Sequence, residues 1–404
     1  MNSKSILEAY APLLGLKTIN KLKEKAHKFK GKTVLHVNAT KYGGGVAEIL
    51  QNMIPLMNEL GIKGDWKVFT APESFFDISK KMHNALQGNM EIHFSDKEIC
   101  DYIEQAKSTY DQICPDSDFN IIHDPQPCPM INFTEDKKGK WIWRCHIDTA
   151  NPNPQAWSMI SDYLSLYDAL IFTKLEYARK KSHDLIYQIP PSIDPFSVKN
   201  KDIPEVQARE IVEKFVPTDI PLITQVSRFD PWKDPLGVID AYRIVKKKQP
   251  IRLVLIGSLA HDDPEGVEWL KKVKDYAKND PDIYILSNLD GVGDIEVNAF
   301  QRVSKVILQK SIKEGFGLTV TEGMWKKTPV IGGNVGGIKL QINDGINGFL
   351  VDTIEETAEK IIYILKNPKK AKEMGKAGHN KIKSEFLLIK HVERYLDLFE
   401  ILLK

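Results

Sequence analysis

Short apolar or β-branched runs alternate with longer stretches of helical periodicity over most of the chain. "TVLHVNAT" (33–40) reads as a buried strand and "KYGGG" (41–45) as the turn after it. "VAEILQNMIPLMNEL" then has helical spacing and stops at Gly61. "DFNIIHD", "KWIWRCHID", "DALIFT", "LITQVS", "RLVLIGS", "IYILSN" and "KVILQKS" read as further buried strands, most of them separated by helical stretches. Strand, loop, helix, strand is the pattern of a parallel sheet covered by helices on both faces. In such sheets ligands sit at the carboxyl ends of the strands, which ranks the candidate residues below.

Three prolines in "YQIPPSIDPFS" (187–197) cannot continue a helix or a central strand. The expected division therefore falls there, with one α/β unit over residues 1–190 and a second over 191–385. The end of the chain, 386–404, repeats apolar residues at Phe386, Leu387, Ile389, Val392, Leu396 and Phe399. It is expected to be a helix that crosses back onto the first unit. Near the start, "LKTINKLKEKAHKFKGK" sets Leu16, Ile19, Leu22, Ala26 and Phe29 on one face among many lysines. A packed helix with one solvated face accounts for this better than a membrane-surface helix, whose apolar face is denser in Trp, Phe and Leu.

Length and composition narrow the class. At 404 residues the chain is too long for one ordinary core, so two domains of roughly 200 residues are expected. Lysine plus arginine number 56 against 54 acids, and the formal charge of +2 argues against a dedicated nucleic-acid binder. Cys100, Cys114, Cys128 and Cys145 show no C-x-x-C spacing; they read as reduced, mostly buried thiols of a cytoplasmic protein rather than a zinc site. The start lacks a signal peptide's apolar core, and no apolar run approaches the roughly 18 residues of a membrane span.

Three stretches carry candidate chemistry. In "LITQVSRFDPWKDPLGVIDAYRIV", Arg228 and Lys233 follow a strand, and Asp234 with Pro235 is a helix start. Two cations beside a helix amino terminus suit a phosphate or diphosphate. The glycines of "KYGGG", Gly43, Gly44 and Gly45, either let backbone N–H groups approach a ligand or serve a tight turn; neither a dinucleotide fingerprint nor a P-loop is met. In "EGFGLTVTEGMW", Glu314 falls at the carboxyl end of a strand, with a helix starting near Leu318 or Thr319 and Glu322 in its first turns. A helix dipole favours an acid at Glu322 but explains neither Glu314 nor the glycines between the two.

E-x7-E with E-G-F-G, preceded by R-x4-K after a strand, resembles the retaining glycosyltransferases of family 4, the glycogen-synthase and sucrose-synthase type. The resemblance implies a GT-B fold, that is, α/β with two Rossmann-like doubly wound domains facing across a cleft. It implies that Glu322 bonds the nucleotide ribose, that Glu314 with the N–H groups of Phe316 and Gly317 holds the donor sugar, and that Leu318 belongs to the same donor site. It assigns Arg228 and Lys233 to the diphosphate and the glycine turn to the donor. "HVNATKYGGGVAEIL", "FFDISKKMHNALQG", "IIHDPQP" and "WRCHID" extend the likeness over most of the chain and are similar to the trehalose synthases. These join a nucleotide-activated glucose to free glucose.

His146, which follows "KWIWRC", matches the family histidine near the reacting sugar; a buried structural histidine is the competing reading. His123, Asp124 and Gln126 follow "FNII" and are the acceptor-site candidates; a loop that merely fixes its own turn before Pro125 is the competing reading. "DSD" (116–118) precedes its strand, at the wrong end of the sheet for a metal-binding D-x-D. The resemblance implies no cofactor and no obligatory metal. The partners it implies are a nucleotide-sugar donor and a small sugar acceptor, with neither nucleic acid nor membrane. It leaves the oligomeric state open, a homodimer included, and base preference unread, with the loop at Ser287–Asp290 the place to look. The implied reaction is retaining, front-face glucosyl transfer that makes trehalose reversibly. The alternatives are a related enzyme with another sugar or glucan acceptor, and a sugar-nucleotide 2-epimerase of the same fold.

Overall fold

The computed structural model describes residues 5–40, 44–179, 182–259 and 264–404. The chain divides into two compact units, Met1–Pro191 with Leu388–Lys404, and Ser192–Leu387.

The first unit is built on six strands: β1 (Thr33–Asn38), β2 (Lys63–Val68), β3 (Phe119–His123), β4 (Lys140–Cys145), β5 (Ala169–Phe172) and β6 (Ile186–Gln188). They form one parallel sheet in the order β2-β1-β3-β4-β5-β6. The chain moves outward from β1 to β2, then returns to place β3 on the other side of β1. The second unit repeats the device with β7 (Leu222–Val226), β8 (Arg252–Gly257), β9 (Ile283–Ser287), β10 (Val306–Gln309), β11 (Val330–Gly333) and β12 (Phe349–Val351). Their order is β12-β11-β10-β7-β8-β9, again parallel throughout. Each sheet thus has one point where the winding reverses, between β1 and β3 and between β7 and β10. The helices on either side of such a point diverge and open a crevice at the strand ends, where doubly wound proteins bind ligands.

Four strands have no clear apolar run in the sequence. β2 reads "KGDWKV" and alternates exposed with half-buried positions, as an edge strand does. β6, β11 and β12 are only three or four residues long. β6 also occupies the start of the segment expected to be pure linker; its pairing with β5 extends the first sheet before the prolines intervene.

The terminal segment is a helix of its own. A helix over Pro368–Glu385 ends before it, and the new one runs Leu388–Leu402. Between them Leu387 bridges to Ile193, and the Ile193 N–H donates to the Phe386 carbonyl at 3.0 Å. The last helix packs on the first unit. Phe399 stacks on Phe119 at 4.0 Å between ring centres and meets Phe29 edge-on at 5.9 Å. Lys25, on the lysine-rich helix Leu16–His27, pairs with Asp397 at 2.6 Å. That helix buries Ile19, Leu22 and Ala26, whereas Leu16, expected on its packed face, is 69% exposed.

Other details follow from position in the sheets. Asp118 sits at the amino edge of β3, where it accepts from Lys32 Nζ at 2.7 Å and the Thr33 N–H at 2.8 Å, tying β3 to β1. Cys128 and Cys145 are buried, but Cys100 and Cys114 are exposed, against the expectation of mostly buried thiols; all four are unpaired. Among the described residues no helix is long and apolar enough to cross a membrane.

Candidate active site

In the second unit the segment after β7 is a chain of local constraints. Asp230 accepts from the Lys233 N–H at 3.1 Å and closes a short 3-10 turn over Pro231–Lys233. Asp234 follows in left-handed conformation and caps the helix Pro235–Lys246 by accepting from the Gly237 N–H at 3.1 Å. A side chain at Gly237 would place its Cβ 2.3 Å from the Asp234 carboxylate. Lys310, next after β10, pairs with the same carboxylate. Gln225 locks the two loops together, donating to the Lys233 carbonyl at 2.9 Å and accepting from the Lys310 N–H at 3.1 Å. The amino terminus of this helix is therefore covered by a carboxylate.

Lys233 Nζ lies 2.5 Å from Glu314 Oε2. Gln309 Nε2 and Ser311 Oγ donate to the same oxygen, each at 3.0 Å. Burial alone would raise the Glu314 pKa, but the Lys233 charge and these bonds outweigh it and hold the carboxyl below its ordinary range. It is an acceptor only, suited to hydroxyl donors. Arg228 differs: its side chain is 61% exposed and its head lies 3.3 Å from Asp230.

After Ser311 the chain makes the glycine turn. Gly317, at φ 84°, opens the helix Leu318–Trp325 without any side-chain cap. The Gln341 carboxamide, held by Thr321, donates to the carbonyls of Phe316 at 2.7 Å and Gly317 at 3.3 Å. With the carbonyls tied back, the N–H groups of Phe316 and Gly317 meet no acceptor among the described residues. The Phe316 ring is buried near Phe386, and the half-buried Leu318 starts the helix. This uncapped terminus, unlike that of Pro235–Lys246, leaves backbone donors for an oxygen-rich ligand.

Glu322 lies beyond the first turn of that helix, where the field of a helix end has fallen off, so the dipole reading fails. It is 3% exposed, accepts from Gln301 Nε2 at 2.8 Å, and lies 3.8 Å from Lys199 Nζ.

The first unit gathers a second cluster at the carboxyl ends of β3 and β4. His123 ends β3 and His146 follows β4; His123 Nδ1 is 3.1 Å from His146 Nε2. Asp124, at φ 64°, accepts from the His146 N–H at 2.8 Å and so fixes the neighbouring loop as well as its own. Burial raises the Asp124 carboxyl to about 6, against the pull of the His146 N–H and the Arg144 charge. Burial also pushes both imidazoles well below their usual range, helped by Arg144. Gln126 does not join them; it donates to Ser79 Oγ at 2.9 Å. Gly44, at φ 81°, precedes Gly45 at the start of the uncapped helix Gly45–Glu59 after β1. Gly43 lies outside the described residues.

Comparison with known proteins decides the family. The model described as "Trehalose synthase, N-terminal domain" matches residues 36–179, and that of glycosyl transferases group 1 matches residues 206–381. A trehalose synthase of Thermococcus litoralis is 48% identical over 97% of this chain and 96% of its own length. The chain belongs to the trehalose synthase family. A second member, from Rubrobacter xylanophilus, is 43% identical over 98% of this chain and 97% of its own. Among solved structures, an alpha,alpha-trehalose-phosphate synthase (UDP-forming) from Burkholderia vietnamiensis superposes with a TM-score of 0.73 over 92% of this chain and 99% of that one, at 13% identity. That likeness bears on fold alone. This trehalose synthase family member is a glycosyltransferase with the GT-B fold.

Sequence reading missed several residues that shape the two clusters. Gln225, Gln309, Lys310 and Ser311 brace Lys233, Asp234 and Glu314, and Gln341 sets the glycine turn. "QKS" (309–311) ends two residues before the recognised motif, and its polar ending on an apolar strand was the available signal. Arg144 and His36 are fully buried beside His123. The Arg144 guanidinium has no hydrogen-bond partner among the described residues. A charge inside the strand run "WIWRC" could have flagged it.

Proposed function

We propose that this enzyme makes trehalose by transferring glucose from a nucleoside diphosphate to the anomeric hydroxyl of free glucose, reversibly and with retention at the donor carbon. The observation that carries the reading is the Lys233–Glu314 pair beside the uncapped Leu318–Trp325 terminus, at the winding reversal of the second sheet. Full-length likeness to trehalose synthases supports the choice of product.

Cleaving the donor leaves an oxocarbenium-like sugar and a diphosphate that gains charge. Arg228, exposed, and Lys233 meet that charge. Lys233 exchanges the Glu314 carboxylate for a phosphate oxygen as donor binds, and Glu314 turns to the sugar hydroxyls. The N–H groups of Phe316 and Gly317 add fixed donors, each worth about 3 kcal/mol when well placed. Glu322, buried and held by Gln301, accepts from the ribose. Glu314 is engaged as a ligand of the donor sugar's hydroxyls and its lowered pKa makes it a weak base, so the departing diphosphate oxygen takes the acceptor's proton in front-face attack. His146, His123 and Asp124 serve the acceptor side. Two cations and a helix terminus at the diphosphate support transfer without an obligatory metal. The unpaired cysteines support a cytoplasmic setting.

A matrix of UDP-, ADP- and GDP-glucose against glucose, fructose and a glucan primer tests this. Trehalose from glucose alone, with both linkages α by NMR, is the expected product. A lengthened glucan, or donor turned over to an epimer without acceptor, would overturn the assignment.

A further inference from the structure

His36 is buried on β1, and the reaction gives it no task. It nevertheless extends the histidine pair. His36 Nδ1 lies 2.9 Å from His123 Nε2, and His123 Nδ1 lies 3.1 Å from His146 Nε2. The three rings form one chain that is closed at the His36 end and open at the half-buried His146.

Each link needs one N–H and one lone pair, so neutral rings can be arranged in only two ways. If protons point from His146 inward, His36 carries its proton on Nε2. That nitrogen is buried and has no partner among the described residues, so this arrangement strands an N–H there, whereas the other strands a lone pair, the less costly loss beside cations. If protons point from His36 outward, His36 Nδ1–H donates to His123, and His123 Nδ1–H donates to His146 Nε2. His146 then carries its own proton on Nδ1, the ring nitrogen without a bond to the protein among the described residues. The surroundings favour the second arrangement and keep the rings neutral. Arg144 stands beside His123 in register on β4, adding a cation that has only donors. His391 and Tyr395 close the other side from the last helix; the Tyr395 ring meets His36 edge-on at 5.9 Å, and Arg394 adds a further positive charge near His391. Among the described residues the acid beside Arg144 is Asp124, and its Oδ1 is taken by the His146 N–H.

We propose that His36 and His123 are positioning residues that fix His146 as the Nδ1–H tautomer, so that the ring presents a hydrogen-bond donor to a sugar oxygen. The inference deepens the proposed function and rests on His146 lying at the sugar. A donor there selects for a lone pair on the ligand and gives the ring no capacity to act as a base in that state.

Nitrogen-15 NMR of histidine-labelled full-length enzyme reads the tautomer directly. Wild type should show His146 protonated at Nδ1 and bare at Nε2 at neutral pH. His36→Asp supplies only an acceptor to His123 and should reverse both rings, lowering kcat about tenfold, roughly one hydrogen bond's worth, with the donor KM little changed. His36→Asn retains an N–H near the Nδ1 position and should keep the wild-type tautomer and kcat. A wild-type His146 protonated at Nε2 or at both nitrogens overturns the proposal, as does a His36→Asp enzyme with the tautomer unchanged. Should His36→Asp fail to fold, wild type and His36→Asn still decide. The NMR result does not depend on which sugars react, so an error in the proposed function would show in the product assay and not here.

Discussion

Lys233 and Glu314, 81 residues apart in sequence, close a 2.5 Å ion pair where β7 and β10 end side by side. Their side chains are 15% and 10% exposed. The pair stores a cation near backbone donors that meet no acceptor among the described residues, and keeps a carboxylate ionised in a mostly buried place.

Lys233→Ala should lower kcat by about 10²–10³-fold, the usual loss for one preorganised group facing developing charge. It also leaves Glu314 without its counter-charge, so the variant should unfold at lower temperature. Lys233→Met combined with Glu314→Gln should recover much of that thermal stability while staying inactive. A double-mutant cycle on melting temperature and turnover separates the two effects. Wild-type turnover in Lys233→Ala would remove this residue from the diphosphate.

Glu322→Gln should act on donor affinity rather than on the chemical step. Losing a charge-assisted bond to the ribose weakens nucleotide binding by about ten- to a hundredfold. Calorimetric titration with the free nucleoside diphosphate reads this without catalysis. A kcat within a few-fold of wild type at saturating donor is the expected companion result.

Gly337→Ala tests the glycine turn from behind. A Cβ at position 337 would lie 2.4 Å from the Gly315 carbonyl oxygen and 2.5 Å from Phe316 Cα. The Gly337 N–H also donates to the Glu314 carbonyl at 3.2 Å. The substitution should push the turn outward, costing about 1–3 kcal/mol of stability and raising the donor KM. Unchanged donor kinetics would mean that the turn does not hold the donor.

Acid should destabilise the first unit through its buried imidazoles. Burial lowers the His36 pKa from 6.5 to about 3, so the unfolded chain binds the proton first. Stability is then full above 6.5 and declines as pH falls toward 3, by about 1.4 kcal/mol per unit for this ring. His123, His146 and His391 shift in the same direction. Asp124 opposes them: raised from 3.8 to about 6, it is protonated more readily when folded, so its contribution falls as pH rises through that window. Urea unfolding at pH 7 and pH 5 should show His36→Asn losing about 2 kcal/mol less than wild type.

What the sequence determined was local. Runs such as "RLVLIGS" and "KVILQKS" are apolar enough to be buried strands in any arrangement, and E-x7-E around a glycine turn needs no distant residue to be recognised. The start of the helix at Leu318 was legible for the same reason, since Gly317 marks it. Tertiary structure decided what depends on strand order. Nothing in the spacing says that β10 returns beside β7, yet that placement brings Glu314 to Lys233 and lets Lys310 cover Asp234. Likewise β1, β3 and β4 lie in neighbouring positions only because the chain reverses after β2, and this lines up His36, His123 and Arg144. Strand periodicity tells which face a side chain takes, but not which strand will be its neighbour. Hydrogen bonds and charges act between neighbours over a few ångströms, so the roles of these residues are set by packing that no local pattern encodes.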